Sequence, residues 1–247
     1  MPILAQSYIH QSFIDPTGGD LDVDALLQGY LRVFRASNNT LIVNTEVIAL
    51  EKEKGLWQVS TPTEAYHAPL IINAAGAWAD ELARRAGVAT IGLVPKRRTA
   101  LLIDAPTDME IHDWPLVVDI DEEFYFKPDA GALLISPADE TPSPACDAAP
   151  EDLDVAIAVD RFETATNCTV RRVNHKWAGL RTFSADKTPV VGEDGDAKGF
   201  FWLAGQGGYG VQTAPAMAAL SAAMILGNTL PAATASCIDE LSPDRFH

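Results

Sequence analysis

Cysteine is scarce. The three residues (Cys146, Cys168, Cys237) are odd in number and scattered, which excludes a disulfide framework and indicates reduced thiols in a cytoplasmic protein. Histidine is nearly as sparse, and the five (His10, His67, His112, His175, His247) show no ligand spacing. With no Cys/His or carboxylate cluster beside them, no metal site is expected. Positive charge is in deficit: 18 Lys and Arg against 34 Asp and Glu leave a formal net charge of −16. That balance argues against nucleic acid, whose affinity is driven by cationic contacts to phosphate. It mildly favours a cationic small molecule by steering, although acidic surfaces usually serve solubility. No uninterrupted apolar run approaches the ~18 residues of a membrane span, apart from a small-residue helix near the C-terminus that is too Ala-rich and too short. The opening MPILAQSYIHQ lacks a basic segment followed by an apolar one, so no signal peptide is visible. No Gly-x-Ser-x-Gly elbow or Cys-centred nucleophile signature is present either.

What is present is a globular composition of 247 residues, 47% apolar, with 17 glycines and 16 prolines. This suits one large or two small domains, either able to bury a core. The stretch Gly199–Gly227 organises the rest. Its apolar run Phe200 to Ala204 predicts a buried strand. The turn Gly205-Gln206-Gly207-Gly208-Tyr209-Gly210 then leads into a helix that is apolar on most faces, ended by Gly227. Such a turn sets the bare N–H groups of the helix start against something electron-rich, or else is only a close-packed strand-to-helix turn. It matches G-x-G-x-x-G, but a dinucleotide fingerprint needs a following strand and an acidic residue ~20 positions on. Asn228 to His247 offers no strand pattern, so the match is a decoy as a pyrophosphate loop.

Taken in order, Tyr8 to Ile14 alternates loosely into the turn Asp15-Pro16-Thr17-Gly18-Gly19. Asp22 or Asp24 caps a predicted helix with Val23, Leu26, Leu27, Tyr30, Leu31 and Phe34 at helical spacing. Leu41 to Val43 and Val47 to Leu50 read as strands, and Lys52 to Gly55 turns into the alternating strand Leu56 to Ser60. Pro69 to Asn73 reads as a fully buried parallel strand. It delivers into the turn Ala74-Ala75-Gly76-Ala77 and a helix with Trp78, Leu82 and Ala86 inward, stopped at Gly87. Between the two strand–turn–helix units lie strands near Leu101 to Asp104, Leu116 to Ile120, Phe124 to Lys127 and Ala132 to Ser136. A helix from about Glu151 to Thr166 follows, with Leu153, Ile157 and Phe162 on one face. A strand near Thr169 to Arg172 and the run Trp177 to Arg181 complete this segment; Pro142 to Pro150 is the expected exposed loop. The fold class is therefore mixed α/β and α+β. An incomplete Rossmann-like domain (21–88 and 189–247) carries an inserted, mainly antiparallel-sheet domain (1–20 and 89–188).

Candidate chemistry rests on arginines and a tyrosine in apolar surroundings. Arg98 opens a strand, Arg181 ends one, and Tyr125 alternates with Phe124 and Phe126 and so faces away from them. A guanidinium near a core needs an anion, and its fork fits a carboxylate bidentately. Internal salt bridging is the ordinary explanation for a single arginine; two arginines and a tyrosine in one sheet favour an anion pocket.

The turns Asn73-Ala74-Ala75-Gly76-Ala77-Trp78 and Gly205 to Gly210, with Trp177-Ala178-Gly179-Leu180-Arg181-Thr182 and Asp186-Lys187-Thr188-Pro189-Val190-Val191-Gly192, resemble the FAD-dependent D-amino-acid oxidase superfamily. Within it, bacterial D-arginine dehydrogenases carry the most similar set. That set includes Asp15 to Gly19, Gly29-Tyr30-Leu31, Pro95 to Arg98, His112 to Pro115, Phe124-Tyr125 and Lys127 to Gly131. The similarity runs from about Phe13 to Pro243.

The resemblance implies a flavoenzyme that moves a hydride from the Cα–H of a D-amino acid to flavin N5, leaving an imino acid that hydrolyses to a keto acid. By position, Arg98 and Arg181 would clamp the substrate carboxylate, Tyr125 would hydrogen-bond to it, and the Gly208 carbonyl would meet the amine. Gln206, Gly207, Gly208, Tyr209, Gly210, Val211 and Gln212 would lie along the isoalloxazine, with Val47, Ala75, Gly76 and Trp78 lining the rest of the FAD groove. The family's N-terminal strand–G-x-G-x-x-G–helix has no counterpart in the sequence. Activity is therefore expected together with an N-terminal half or a partner chain. A non-catalytic amino-acid or anion-binding module and a subunit of a hetero-oligomeric flavin amine dehydrogenase are the alternatives.

Overall fold

The computed structural model describes residues 1–246; His247 lies outside them. In chain order the main elements are α1 (Val23–Ala36), β1 (Ala49–Glu53), β2 (Leu56–Ser60), β3 (Ala65–Ala68), β4 (Ile71–Asn73) and α2 (Ala79–Arg85). Next come β5 (Val94–Ile103), β6 (Val117–Val118), β7 (Tyr125–Asp129), β8 (Ala132–Ser136), β9 (Thr141–Pro142), α3 (Asp152–Ala165) and β10 (Val173–Phe183). The chain finishes with β11 (Val190–Glu193), β12 (Phe200–Ala204), α4 (Gly210–Leu226) and the short α5 (Ile238–Leu241). This mixed α/β chain divides into two compact units, Met1–Phe13 with Val94–Phe183 and Ile14–Leu93 with Ser184–His247.

Unit 1 is an antiparallel sheet of six strands in the order β10-β5-β8-β7-β6, with β9 on β5. Alternation along the strands gives the sheet two faces. One carries Leu101, Ile103, Phe126, Leu133 and Ile135, and packs on Ala158, Phe162 and Ala165 of α3 to form the core. Phe126 and Phe162 meet edge to face with centroids 5.4 Å apart, a favoured aromatic geometry. The N-terminal segment joins this core through buried Ile3, and Ala5 donates its N–H to the Ala165 carbonyl. Helix α3 presents Asp154, Ala158, Phe162 and Ala165 inward, whereas Leu153, read as inward, is 67% exposed. The face is rotated because buried Asp154 is claimed by Arg97 of β5. The strand expected near Thr169 begins only at Val173; after a bulge between Val173 and His175, the ladder pairs β10 with β5 from His175↔Leu102 to Phe183↔Val94.

Unit 2 holds two three-stranded sheets, β1-β2-β3 and β11-β12-β4. Lys54 and Gly55, both with positive φ, form the tight turn between β1 and β2, the twist a two-residue hairpin demands. In the second sheet β12 is central, antiparallel to β11 and parallel to β4. Trp202, Phe200 and Val190 on one side pack with Trp57, Ala79 and Ala83; Phe201 and Val191 on the other pack with Leu220 and Leu241.

Four sequence readings are corrected in unit 2. Leu41 to Val43 form no strand and are exposed, because no neighbouring strand is available to pair with them. Strand β4 is an edge, not fully buried, with Ile72 47% exposed. Helix α2 buries Ala79 and Ala83 while Trp78 stands 45% exposed, since only small side chains fit where the helix meets the sheet. Helix α4 buries only Leu220, Ser221 and Ala223, its Ala-rich remainder having little against it. Helix α1 forms as its spacing predicts, with Asp22 Oδ1 accepting the Ala25 N–H at 2.9 Å, yet it buries no residue.

Candidate functional site

In unit 1 the register of β5 and β10 decides which side chains meet. Gly179 faces Arg98 and Arg181 faces Lys96, so Lys96, Arg98 and Arg181 stand on one face, opposite the α3 core. Arg97, between them, points the other way. There it is buried with Nε 3.0 Å and Nη2 2.9 Å from Asp154 Oδ2, and Nη1 reaches Glu151. Tyr125 shares the open face: its neighbours Phe124 and Phe126 are buried while it is half-buried, and the Arg98 guanidinium carbon lies 5.9 Å from its ring centroid. A Cβ at Gly179 would meet nothing within 4 Å, so the ladder leaves space directly across from Arg98.

The two arginines differ. Arg98 is anchored by Nε to the Asp139 carbonyl at 2.9 Å, and its Nη2 lies 3.6 Å from Glu140 Oε1. Arg181 makes no hydrogen bond or ion pair among the described residues, although it is half-buried. Burial, and then repulsion from Arg98, push the Arg181 guanidinium below its ordinary pKa, only partly countered by Tyr125, Glu140 and Asp139. A desolvated cation beside a second cation is the electrostatic setting that an incoming anion would relieve.

The loop after β8 supplies groups that the sequence did not reveal. Asp139 accepts from Thr99 N at 2.6 Å and Thr99 Oγ1 at 3.1 Å, and burial raises its carboxyl above the ordinary range. Glu140 Oε2 lies 2.9 Å from Lys96 Nζ. About 40 residues separate these partners in the chain, and the pairing of β8 and β9 with β5 brings them together.

In unit 2 the two glycine-containing turns leave the same end of neighbouring parallel strands, since β12 pairs with β4 as Trp202↔Asn73. The carboxyl ends of parallel strands are where open α/β sheets take ligands. Buried Asn73 fastens the first turn, donating from Nδ2 to the Ala79 carbonyl at 2.9 Å and accepting from Ala75 N at 3.3 Å. Gly76 follows with φ +55°. The second turn uses positive φ at Gly205 and Gly207, and a Cβ at Gly205 would stand 3.3 Å from Leu93 and 3.4 Å from Val190. Tyr209 opens α4 with no side-chain cap. Gly208, Tyr209, Val211 and Gln212 are exposed, and Gln206, Gly207 and Gly210 half-buried. Val47 lies in the coil before β1, where its carbonyl accepts from Arg85 of α2.

The fit to a flavin is therefore specific in part. An uncapped helix start on a glycine turn suits the electron-rich pyrimidine edge of an isoalloxazine. The same turn does not fit the pyrophosphate: among the described residues α4 is followed by short helical turns and no strand. No group of three or more His, Cys, Asp or Glu among the described residues could hold a metal. No helix among them is long and apolar enough to cross a membrane.

Fold and turns together define a flavin-dependent oxidoreductase scaffold, and the comparisons agree. The family model "FAD dependent oxidoreductase" (DAO) matches residues 1–224; the chain belongs to that family, whose cofactor is FAD. It is similar to L-proline dehydrogenase from P. horikoshii (TM-score 0.78, 22% identity, 94% of this chain and 62% of that one). It is also similar to glycine oxidase from Geobacillus kaustophilus (TM-score 0.68, 22% identity, 82% and 53%). These likenesses establish the fold. Among curated proteins it is 27% identical to FAD-dependent oxidoreductase domain-containing protein 1 of Xenopus laevis (68% of this chain, 36% of that protein). It is 24% identical to the uncharacterized oxidoreductase YurR of Bacillus subtilis (92% and 60%). The chain thus spans between about a third and three fifths of these curated relatives' lengths.

Proposed function

We propose that this chain serves FAD-dependent oxidative deamination of a D-amino acid, in the manner of a D-arginine dehydrogenase. The observation that carries the reading is Arg181: a half-buried guanidinium without an anion, repelled by Arg98, on an open face beside Tyr125. A carboxylate there relieves the repulsion and completes a fork–fork pair. Solved and curated relatives named for glycine, L-proline and dimethylglycine point to substrates that share a carboxylate next to an amine, which supports the class without fixing its handedness.

In this proposal Arg181 and Arg98 bind the carboxylate, and the Tyr125 hydroxyl donates to it. Anchoring of Arg98 by the Asp139 carbonyl fixes the carboxylate, and with it the direction of the Cα–H bond. Bound FAD supplies a two-electron acceptor for the hydride from Cα. The amides opening α4, from Gly210 to Gln212, would hold the electron-rich edge of the flavin and favour its reduction electrostatically. Val47, Ala75, Gly76, Trp78, Gln206, Gly207, Gly208 and Tyr209 belong to the same proposed groove. Exposed α1 and the free edge of β4 are surfaces of the kind another polypeptide segment covers, in keeping with activity that needs an N-terminal half.

The test is dye reduction by the FAD-loaded protein, with and without an N-terminal segment bearing a strand–GxGxxG–helix unit, against D- and L-amino acids. Turnover with D- but not L-enantiomers supports the proposal. Carboxylate binding without turnover in either condition replaces it with the non-catalytic reading.

A further inference from the structure

Arg98 is fastened by a residue that works on both faces of the sheet. Strand β5 pairs with β8 at Leu101↔Ile135 and with β9 at Arg97↔Thr141. Between these pairs, residues 98–100 of β5 face residues 136–140, so the outer chain carries two extra residues beside Arg98. A bulge of this kind re-aims the groups around it. It is held in its own right: Ala138, at φ +51°, donates its N–H to Ser136 Oγ at 3.2 Å, and Arg161 of α3 donates to the Pro137 carbonyl at 2.8 Å. Asp139 follows, its side chain only 7% exposed. Its Oδ1 accepts the Thr99 N–H at 2.6 Å, where a regular ladder would offer a carbonyl. Its Oδ2 accepts from Thr99 Oγ1 at 3.1 Å and lies 3.9 Å from Arg97 Nε, on the core side of β5. On the other side, the Asp139 carbonyl accepts from Arg98 Nε at 2.9 Å.

With Nε taken, the Arg98 fork has only its Nη edge left to meet a carboxylate bidentately. We propose that Asp139 is a positioning residue of the carboxylate site: its side chain, clasped by Thr99, aims its own carbonyl at Arg98 Nε and so sets the guanidinium before a ligand arrives. The proposal rests on the carboxylate reading of Arg98 and Arg181. Asp139 acts through Arg98, by sparing the ligand the cost of ordering a long side chain, which is worth about tenfold in affinity.

The test combines hydrogen exchange of the arginine Nε–H groups in the ligand-free full chain with propionate titration of the same samples. Asp139→Ala removes both clasps and is expected to speed Arg98 Nε–H exchange and weaken propionate binding, each about tenfold, with Arg245 Nε–H exchange unchanged. Asp139→Asn is expected to restore both to within about twofold, since its Oδ1 still accepts the Thr99 N–H and its Nδ2 donates to Thr99 Oγ1. Thr99→Val keeps the shape and removes one clasp; a change of about threefold in the same direction is expected, and this variant carries the test if Asp139→Ala does not fold. Unchanged Arg98 exchange in a folded Asp139→Ala, or in Thr99→Val where that variant carries the test, overturns the proposal. So does an Asp139→Asn variant as impaired as Asp139→Ala, because charge and not the clasp would then be responsible. If Arg98 exchange responds as expected but propionate does not bind the wild type, the carboxylate reading is overturned, and the positioning role with it.

Discussion

Arg181→Met isolates the arginine on which the functional reading depends. In the free protein its guanidinium is partly desolvated, faces Arg98 and has no anion, so it costs stability. For neighbouring like charges at an effective dielectric of about 20, the repulsion is about 1–3 kcal/mol. Tyr125, Glu140 and Asp139 offset part of it, and methionine retains much of the packing of the aliphatic stem. The variant should therefore be more stable than wild type by about 1 kcal/mol in ligand-free buffer, a gain of the kind that costs function. Its carboxylate affinity should fall by about 2–4 kcal/mol with the loss of two charge-assisted hydrogen bonds. Chemical unfolding with and without saturating propionate separates the two effects. Wild type should gain stability from the ligand, and Arg181→Met should start higher and gain almost nothing. A variant destabilised by 1 kcal/mol or more without ligand would refute the reasoning, because Arg181 would then be an ordinary structural cation.

Three further outcomes follow from other parts of the fold. Arg97→Met strands buried Asp154 without its partner, and should cost about 3–5 kcal/mol in urea unfolding. Gly205→Ala forces a side chain onto φ +68° with Leu93 and Val190 at 3.3–3.4 Å; a loss of about 1–3 kcal/mol is expected by the same assay. The Asp186 carboxyl is held below the ordinary range, first by Arg245, with Thr188 N and Ser184 Oγ also donating to it. A depressed carboxyl stabilises the fold above its unfolded value near 4 and loses that contribution as pH falls through its folded value. Wild type should thus exceed Asp186→Asn by about 1 kcal/mol at neutral pH, discounted for solvent screening, with the gap closing in acid; thermal unfolding across pH checks it.

Local signals were the most legible part of the sequence. Asp22 caps α1 and Gly227 ends α4 because both depend on a few neighbouring residues. Alternation of Phe124, Tyr125 and Phe126 correctly set Tyr125 on the face opposite the core. Faces set by distant partners were not legible. Asp154 turns inward because Arg97 lies beside it across 57 positions of chain, which displaces Leu153 from the face assigned to it. Ala79 and Ala83 bury where Trp78 was expected, because the closeness of α2 to its sheet is a tertiary property. Within the candidate site, Arg98, Arg181 and Tyr125 were visible as cations and a hydroxyl in apolar runs. Asp139 and Glu140 were not, since an acidic pair in a loop resembles any solvated turn until β8 is paired with β5.

The central claim is that Arg98 and Arg181 together receive the substrate carboxylate. Nitrogen-15 spectra of the arginine side-chain Nε–H groups, recorded while D-alanine is titrated into the chain, address it at the atoms concerned. The account requires saturable shifts at Arg98 and Arg181, with Arg97, Arg161 and Arg245 unmoved in their existing ion pairs. Saturable shifts elsewhere, or none at Arg181, would contradict it.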